Sequence, residues 1–202
     1  TLALAINLFY FKEKITSKKS LVLLLTNLTT FSTTGYVATA VLFVGYIFFS
    51  NIKKSYKFIL SVILLVVVYY VGQLDFMTEK IAEQSADDST WSRFGAIAYH
   101  WNQITQSPII GFGPFLSNVF GDELFSPNGL TDLMRYYGIP LSIVFYYLLY
   151  RGTKVYVGNS HKGANVCVFV SLLLLCFSQT ITYSPFFMIL YFFAFNTYTY
   201  DK

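Results

Sequence analysis

The chain has 202 residues, of which 55% are hydrophobic, 20% aromatic and only 12% charged, and its mean hydropathy is +0.54. That composition excludes an ordinary water-soluble globule, which needs more polar surface at this size, and points to membrane helices. The net charge of +4 is not a nucleic-acid footprint, because the basic residues form short clusters beside apolar runs instead of one continuous patch.

In chain order, Thr1 already stands beside an apolar run, Leu2-Ala3-Leu4-Ala5-Ile6, with no initiator Met and no basic leader. This reads as the C-terminal part of a longer membrane protein and not as a signal peptide. A first basic cluster follows (Lys12, Lys14, Lys18, Lys19), and a second (Lys53, Lys54, Lys57) closes the apolar segment Ser20–Ser50. One helix over that segment would put the two clusters on opposite sides, against the positive-inside rule. Two helices, Leu21–Thr29 and Tyr36–Phe49, joined by the hydroxyl-rich Thr30–Gly35, keep both inside. A single tilted helix is the alternative. Phe58–Leu74 then crosses outward, Leu130–Tyr150 returns to Arg151, Lys154 and Lys162, Ala164–Ser178 crosses out, Gln179–Pro185 turns, and Phe186–Tyr198 comes back. Roughly 20 apolar residues cross about 30 Å of hydrocarbon. The expected fold is an all-α, polytopic transmembrane helical bundle. It is a single membrane domain over 1–202, with a large extracytoplasmic loop at 75–137 containing short interfacial helices. Cys167 and Cys176 share one helix without metal spacing and read as packing residues.

The loop holds eight acidic residues against Lys80, Arg93 and Arg135, a net −5. Within it, Ser89 or Thr90 caps a helix running to Gln106. Trp91, Phe94, Ile97 or Ala98, Trp101 and Ile104 recur at helical spacing, suiting a helix at the membrane interface. Ser107-Pro108 ends it, Gly111-Phe112-Gly113-Pro114 makes a tight turn, and Ser126-Pro127-Asn128-Gly129 makes another. Asn128 is placed to cap the return helix.

Several residues here bear on chemistry. Arg93 and His100, seven apart, share a helix face that Trp91 and Trp101 avoid. An Arg at the outer surface suits a phosphate, which it grips bidentately; the plainer role is pairing with Asp87, Asp88 or a lipid headgroup. His100 is either a proton-transfer group or an interfacial polar residue. Asp132 and Arg135, three apart, also share a face. They either pair with each other, or Arg135 takes an anionic lipid group with Asp132 as a nearby base. Gly111 and Gly113 form a lone G-x-G without a preceding strand. A turn is the reading, one that lets backbone approach a sugar or phosphate, and not a dinucleotide site. No metal-ligand spacing and no nucleophilic triad is evident.

Taken together, Phe31-Ser32-Thr33-Thr34-Gly35-Tyr36, then Ser92-Arg93, Trp101, Ser107-Pro108-Ile109-Ile110-Gly111-Phe112-Gly113, Asn128-Gly129-Leu130 and Leu133-Met134-Arg135-Tyr136-Tyr137-Gly138-Ile139 resemble the O-antigen ligase and O-antigen polymerase superfamily. The resemblance runs from about Leu21 to Phe195. The family shows Ser-Arg-x-Gly at the first turn, an Arg before a Trp in the loop, Pro-x-x-Gly-x-Gly, and His-Asn before the return helix. Arg93 with Trp101 matches the second element, and Pro108, Gly111 and Gly113 match the third. Thr33 stands where the first Arg is expected. Pro127 replaces the His of His-Asn while Asn128 is kept, which fits the more variable polymerase branch better than a ligase.

The resemblance implies a bacterial inner-membrane glycosyltransferase that polymerises lipid-linked oligosaccharide repeat units of an O-antigen, capsule or exopolysaccharide. The donor is a polyprenyl-diphosphate-linked oligosaccharide; no metal, nucleotide sugar or other cofactor is required, and no nucleic acid is involved. The loop faces the periplasm or outside, and the partners are the lipid bilayer and other polysaccharide assembly proteins. Arg93 and Arg135 are the expected diphosphate ligands, Asp132 and His100 the candidate bases, and Trp91, Trp101, Gly111, Gly113 and Asn128 the residues that position sugar and loop. The competing readings are a ligase that moves finished glycan to lipid or protein, a transporter or channel subunit built on the broken helices, and a structural subunit of an export complex.

Overall fold

A computed structural model describes residues 1–30, 32–49, 53–73, 75, 78–79, 93–113, 128–157 and 163–195. Those residues form helices, and no strand occurs among them. The helices are α1 (Leu2–Ala5), continuing as a π-helical turn (Ile6–Tyr10), α2 (Lys18–Thr29), α3 (Thr33–Phe49), α4 (Lys54–Gly72), α5 (Arg93–Gln106), α6 (Gly129–Val157), α7 (Ala164–Ser178) and α8 (Pro185–Phe193), with a 3-10 turn (Ile181–Tyr183) between the last two.

Local chemistry sets several boundaries. Ser17 caps α2, its Oγ accepting from the Ser20 N–H at 3.3 Å. The break between α2 and α3 falls in the hydroxyl-rich stretch as expected: Thr30 Oγ1 donates to the Asn27 carbonyl at 2.7 Å, and Ser32 Oγ accepts from the Gly35 N–H at 3.1 Å. Both bonds satisfy helix-end groups that lack an intrahelical partner. Ser184 caps α8 with Pro185 in its first turn, where a missing N–H costs nothing.

The core lies between α3, α6, α7 and α8, with α1 and its π-turn against it; Leu8, Leu42, Leu149, Val168, Leu172, Phe187 and Leu190 are buried there. α3 and α7 make the most extensive contact. Their backbones come close because Gly45 carries no side chain: a Cβ there would stand 2.7 Å from Cys167 Cβ. Ser171 Oγ also donates across to the Ala38 carbonyl at 2.9 Å. Cys176 is buried, Cys167 partly so, and both are free thiols, in keeping with the packing role.

The all-α bundle read from the sequence stands. The spanning length assigned to its helices does not follow: among the described residues no helix is long and apolar enough to cross a membrane. The bounds explain this. α3 has 17 residues, α7 15 and α8 only 9, and a rise of about 1.5 Å per residue makes even 17 residues about 25 Å long, short of the about 30 Å core. α4 carries Lys54 and Lys57 in its first turns, and α6 is interrupted at Gly138. Many apolar side chains nonetheless face outward, including Phe58, Ile63, Leu65 and Tyr70 along α4.

Candidate functional site

The buried face of α5 is polar. Ala96, His100, Gln103 and Ile104 are each at most 2% exposed, and their spacing puts them on one stripe. Trp101, on another face, is 56% exposed. Of the aromatic and apolar residues read at helical spacing, Ile104 belongs to the covered face and Trp101 does not, while Trp91 and the Phe94 side chain lie outside the described residues.

α5 packs against the start of α6. Asn128 caps that start as expected, its Oδ1 accepting from the Leu130 and Thr131 N–H groups at 3.1 and 3.4 Å. The turns that follow carry Thr131, Asp132 and Arg135, of which Thr131 and Arg135 reach α5. Thr131 Oγ1 lies 2.6 Å from His100 Nδ1. Asp132 Oδ1 accepts from Arg135 Nε at 2.6 Å, and Arg135 Nη1 donates to Gln103 Oε1 at 3.3 Å. Arg135 is 1% exposed and Asp132 4%. Between the two readings of this pair, the structure shows the ion pair, with Gln103 as an additional acceptor. A buried guanidinium needs this, because a lone buried charge costs several kcal/mol.

Aromatic rings close the other side. The Arg135 guanidinium lies over the Tyr136 ring at 5.6 Å, and Tyr183 from the 3-10 turn meets Tyr136 edge-on at 6.1 Å and Tyr137 at 6.2 Å. Among the described residues, Gln103 Nε2, Thr182 Oγ1 and Tyr183 OH are buried without a hydrogen-bond partner. Polar atoms left this way are suited to receiving a polar ligand.

Burial first, and the Arg135 cation second, push the His100 imidazole down to about 3. It is therefore neutral at pH 7 and binds a proton only weakly. The tautomer decides which nitrogen does so: if Nδ1–H donates to Thr131, Nε2 is the basic atom. No group of three or more His, Cys, Asp or Glu side chains suited to a metal ion occurs among the described residues.

Of the residues singled out in the sequence, His100, Asp132, Arg135 and Asn128 come together here. Gly111 reaches the same helix through its backbone, at φ +72, where a Cβ would stand 2.6 Å from the Tyr136 carbonyl. Gly113 (φ +54) ends the turn in open space, where an added Cβ would meet nothing within 4 Å. Trp101 points away. The backbone of Arg93 opens α5, but its side chain, like Trp91 and Pro127, lies outside the described residues.

With this geometry in hand, one comparison decides the family. A family model described as Wzy_C, O-antigen ligase, matches residues 20–134. The chain belongs to the O-antigen ligase family. The matched stretch covers α2 to α5 and runs through Asp132, and Arg135 lies one residue beyond its end. No curated protein and no solved structure matches the chain. Members of this family are bacterial membrane-associated proteins of surface-polysaccharide assembly that carry out glycosyl transfer.

Sequence reasoning missed Gln103, Thr131, Gly138 and Tyr183. Gln103 follows His100 by one helical turn and Thr131 adjoins Asp132, so helical spacing from either candidate base leads to them. Gly138 stands two residues before Pro140, but the apolar run that follows it hides the break. Tyr183 had no local signal, because only packing brings the 3-10 turn to α6.

Proposed function

We propose that this chain polymerises lipid-linked oligosaccharide repeat units by glycosyl transfer from a polyprenyl diphosphate donor, with 75–137 as an extracytoplasmic loop of a multi-pass membrane protein. The observation that carries the reading is the buried cluster of Arg135, Asp132, Gln103, His100 and Thr131 at the α5–α6 contact, in a chain of the O-antigen ligase family.

The reaction asks for little covalent chemistry from the protein. The bond between the anomeric carbon and the diphosphate oxygen breaks, its electron pair stays with the diphosphate, and an acceptor hydroxyl oxygen bonds to that carbon. The acceptor's proton passes to a base. Arg135 supplies the cation that favours the departing charge, assisted by Arg93, and its orientation is already held by Asp132 and Gln103. His100 is neutral with a ring nitrogen free of a proton, though burial makes it a weak base, while burial raises the basicity of the Asp132 carboxylate, which is paired with Arg135; the two remain the candidate bases. Trp91 and Trp101 serve as sugar-stacking or interface-anchoring rings. No metal enters this scheme.

Arg93→Ala and Arg135→Ala in the full-length protein test the reading, with surface polysaccharide resolved on a gel. Loss of the long ladder with single repeats still attached supports a polymerase. Lipid-linked polymer that never reaches its final acceptor indicates the ligase, the second reading, which belongs to the same family. A normal ladder in both variants sinks the site. An impermeant thiol reagent applied to a Cys placed at Asp122 checks that the loop faces outside.

A further inference from the structure

The turn Ser107–Gly113 has no part in the chemistry above, yet it is built into α6. In an unbroken helix the Ile139 N–H would donate to the Arg135 carbonyl, four residues back. Here both groups are taken by the turn. The Phe112 N–H donates to the Arg135 carbonyl at 2.9 Å, and the Ile139 N–H donates to the Pro108 carbonyl at 2.8 Å. One helical hydrogen bond is replaced by two that run to another segment, and no backbone group of that pair is orphaned.

Two glycines make this possible. Gly138 sits at φ 77, ψ 167, a conformation essentially closed to L side chains. A Cβ on Gly138 would also collide with the Ile109 carbonyl, and one on Gly111 would stand 2.6 Å from Gly138 N. The turn itself is closed by the Gly111 N–H donating to the Ser107 carbonyl at 3.1 Å and by Ser107 Oγ donating to the Gly111 carbonyl at 2.9 Å. It follows directly on α5, whose Gln103 and His100 meet Arg135 and Thr131 of α6. The turn therefore ties the end of one helix of the site to the break in the other.

We propose that Ser107–Gly113 is a backbone splint that sets the first turns of α6 against α5, making Gly111 and Gly138 positioning residues for glycosyl transfer. The Asp132–Arg135 turn takes its direction from the splint and not from the helix that continues beyond Gly138. This rests on the reading of the α5–α6 cluster given above.

The test uses the full-length protein with Gly111→Ala and Gly138→Ala, and Gly72→Ala as the control. Hydrogen–deuterium exchange is followed in peptides covering 107–113 and 135–141, and turnover of a lipid-linked repeat unit is followed against pH. Gly111→Ala and Gly138→Ala are expected to speed exchange in both peptides and cut turnover by at least about tenfold, as small misplacements at a reacting centre do. The acid limb of the pH profile moves up toward the ordinary histidine range as His100 loses its cover. Gly72→Ala, at the end of α4 and away from the turn, changes neither exchange nor profile, because no atom lies near its Cβ position and its backbone is not left-handed. Should the two clashing variants fail to fold, Ser107→Ala removes one closing hydrogen bond and is expected to give intermediate exchange and a several-fold loss. Faster exchange with unchanged turnover and pH profile overturns the splint, as does lost turnover with unchanged exchange. An active Arg135→Ala protein would instead overturn the reading of the site; an inactive one beside a fully active, opened Gly138→Ala protein overturns the splint alone.

Discussion

The α3–α7 contact and the α5–α6 contact solve different problems. The first is apolar and close, with Gly45 against Cys167, the buried Leu42, Val168 and Leu172 around it, and one hydroxyl-to-carbonyl hydrogen bond. The second buries an Arg, an Asp, a His and a Gln and fixes them by specific atoms. Apolar packing depends on volume and tolerates compensation; a buried polar network depends on every member being present. The first contact holds the bundle, and the second stores orientation at the cost of desolvated charge.

Breaking the polar contact has the largest expected effect. Arg135→Met alone leaves Asp132 buried without its cation and is expected to cost about 3–5 kcal/mol in unfolding free energy, with loss of polymerisation. Adding Asp132→Leu removes the stranded charge, so thermal unfolding recovers while activity does not. A double variant that polymerises normally would reduce the pair to scaffolding. The apolar contact answers to volume instead. Gly45→Leu is expected to cost roughly 1–3 kcal/mol by overpacking, and Cys167→Gly should give part of that back in the same melting experiment; no recovery would mean that the α3–α7 spacing is held by something else.

A gentler probe titrates the polar contact. His100 is held at about 3 in the fold against an ordinary 6.5, so protons favour the unfolded chain between those values. Its contribution to stability is full above about pH 6.5 and is lost as pH falls toward 3. His100→Gln should therefore flatten the acid side of melting temperature against pH. An unchanged slope would contradict the buried neutral imidazole. The smallest effect belongs to Trp101→Ala. As an exposed side chain it should shift stability within about 0.5 kcal/mol, so any large loss of turnover there assigns the ring to substrate and not to structure.

Much of this is legible in the chain itself. Ala164–Ser178 matches α7 at both ends, and the hydroxyl-rich Thr30–Gly35 marks the break between α2 and α3. Both signals are local: an uninterrupted apolar run, and side chains that compete for backbone hydrogen bonds. Asn128 as a cap and the Asp132–Arg135 pair are legible for the same reason, being neighbours along one turn. The break at Gly138 is hidden in what reads as continuous helix, because the apolar run from Ile139 to Tyr150 masks it. Spanning length is not legible in the same way, since hydropathy counts apolar residues and not helix bounds, and the described helices fall short of it.

The amino-acid sequence alone determined the all-helical class, the break at Thr30–Gly35, the Asn128 cap, the packing role of the two thiols and the candidate charges, along with the resemblance that family membership then bore out. Those are properties of residues within a turn or two of each other. Tertiary structure alone decided that Gln103, 32 residues from Arg135 in the chain, accepts a hydrogen bond from its guanidinium, that Tyr183 meets Tyr136 beside it, and that a turn following α5 occupies the gap in α6. The physical reason is that buried charge and unpaired backbone must find partners wherever packing puts them, and no local pattern records which partner that will be.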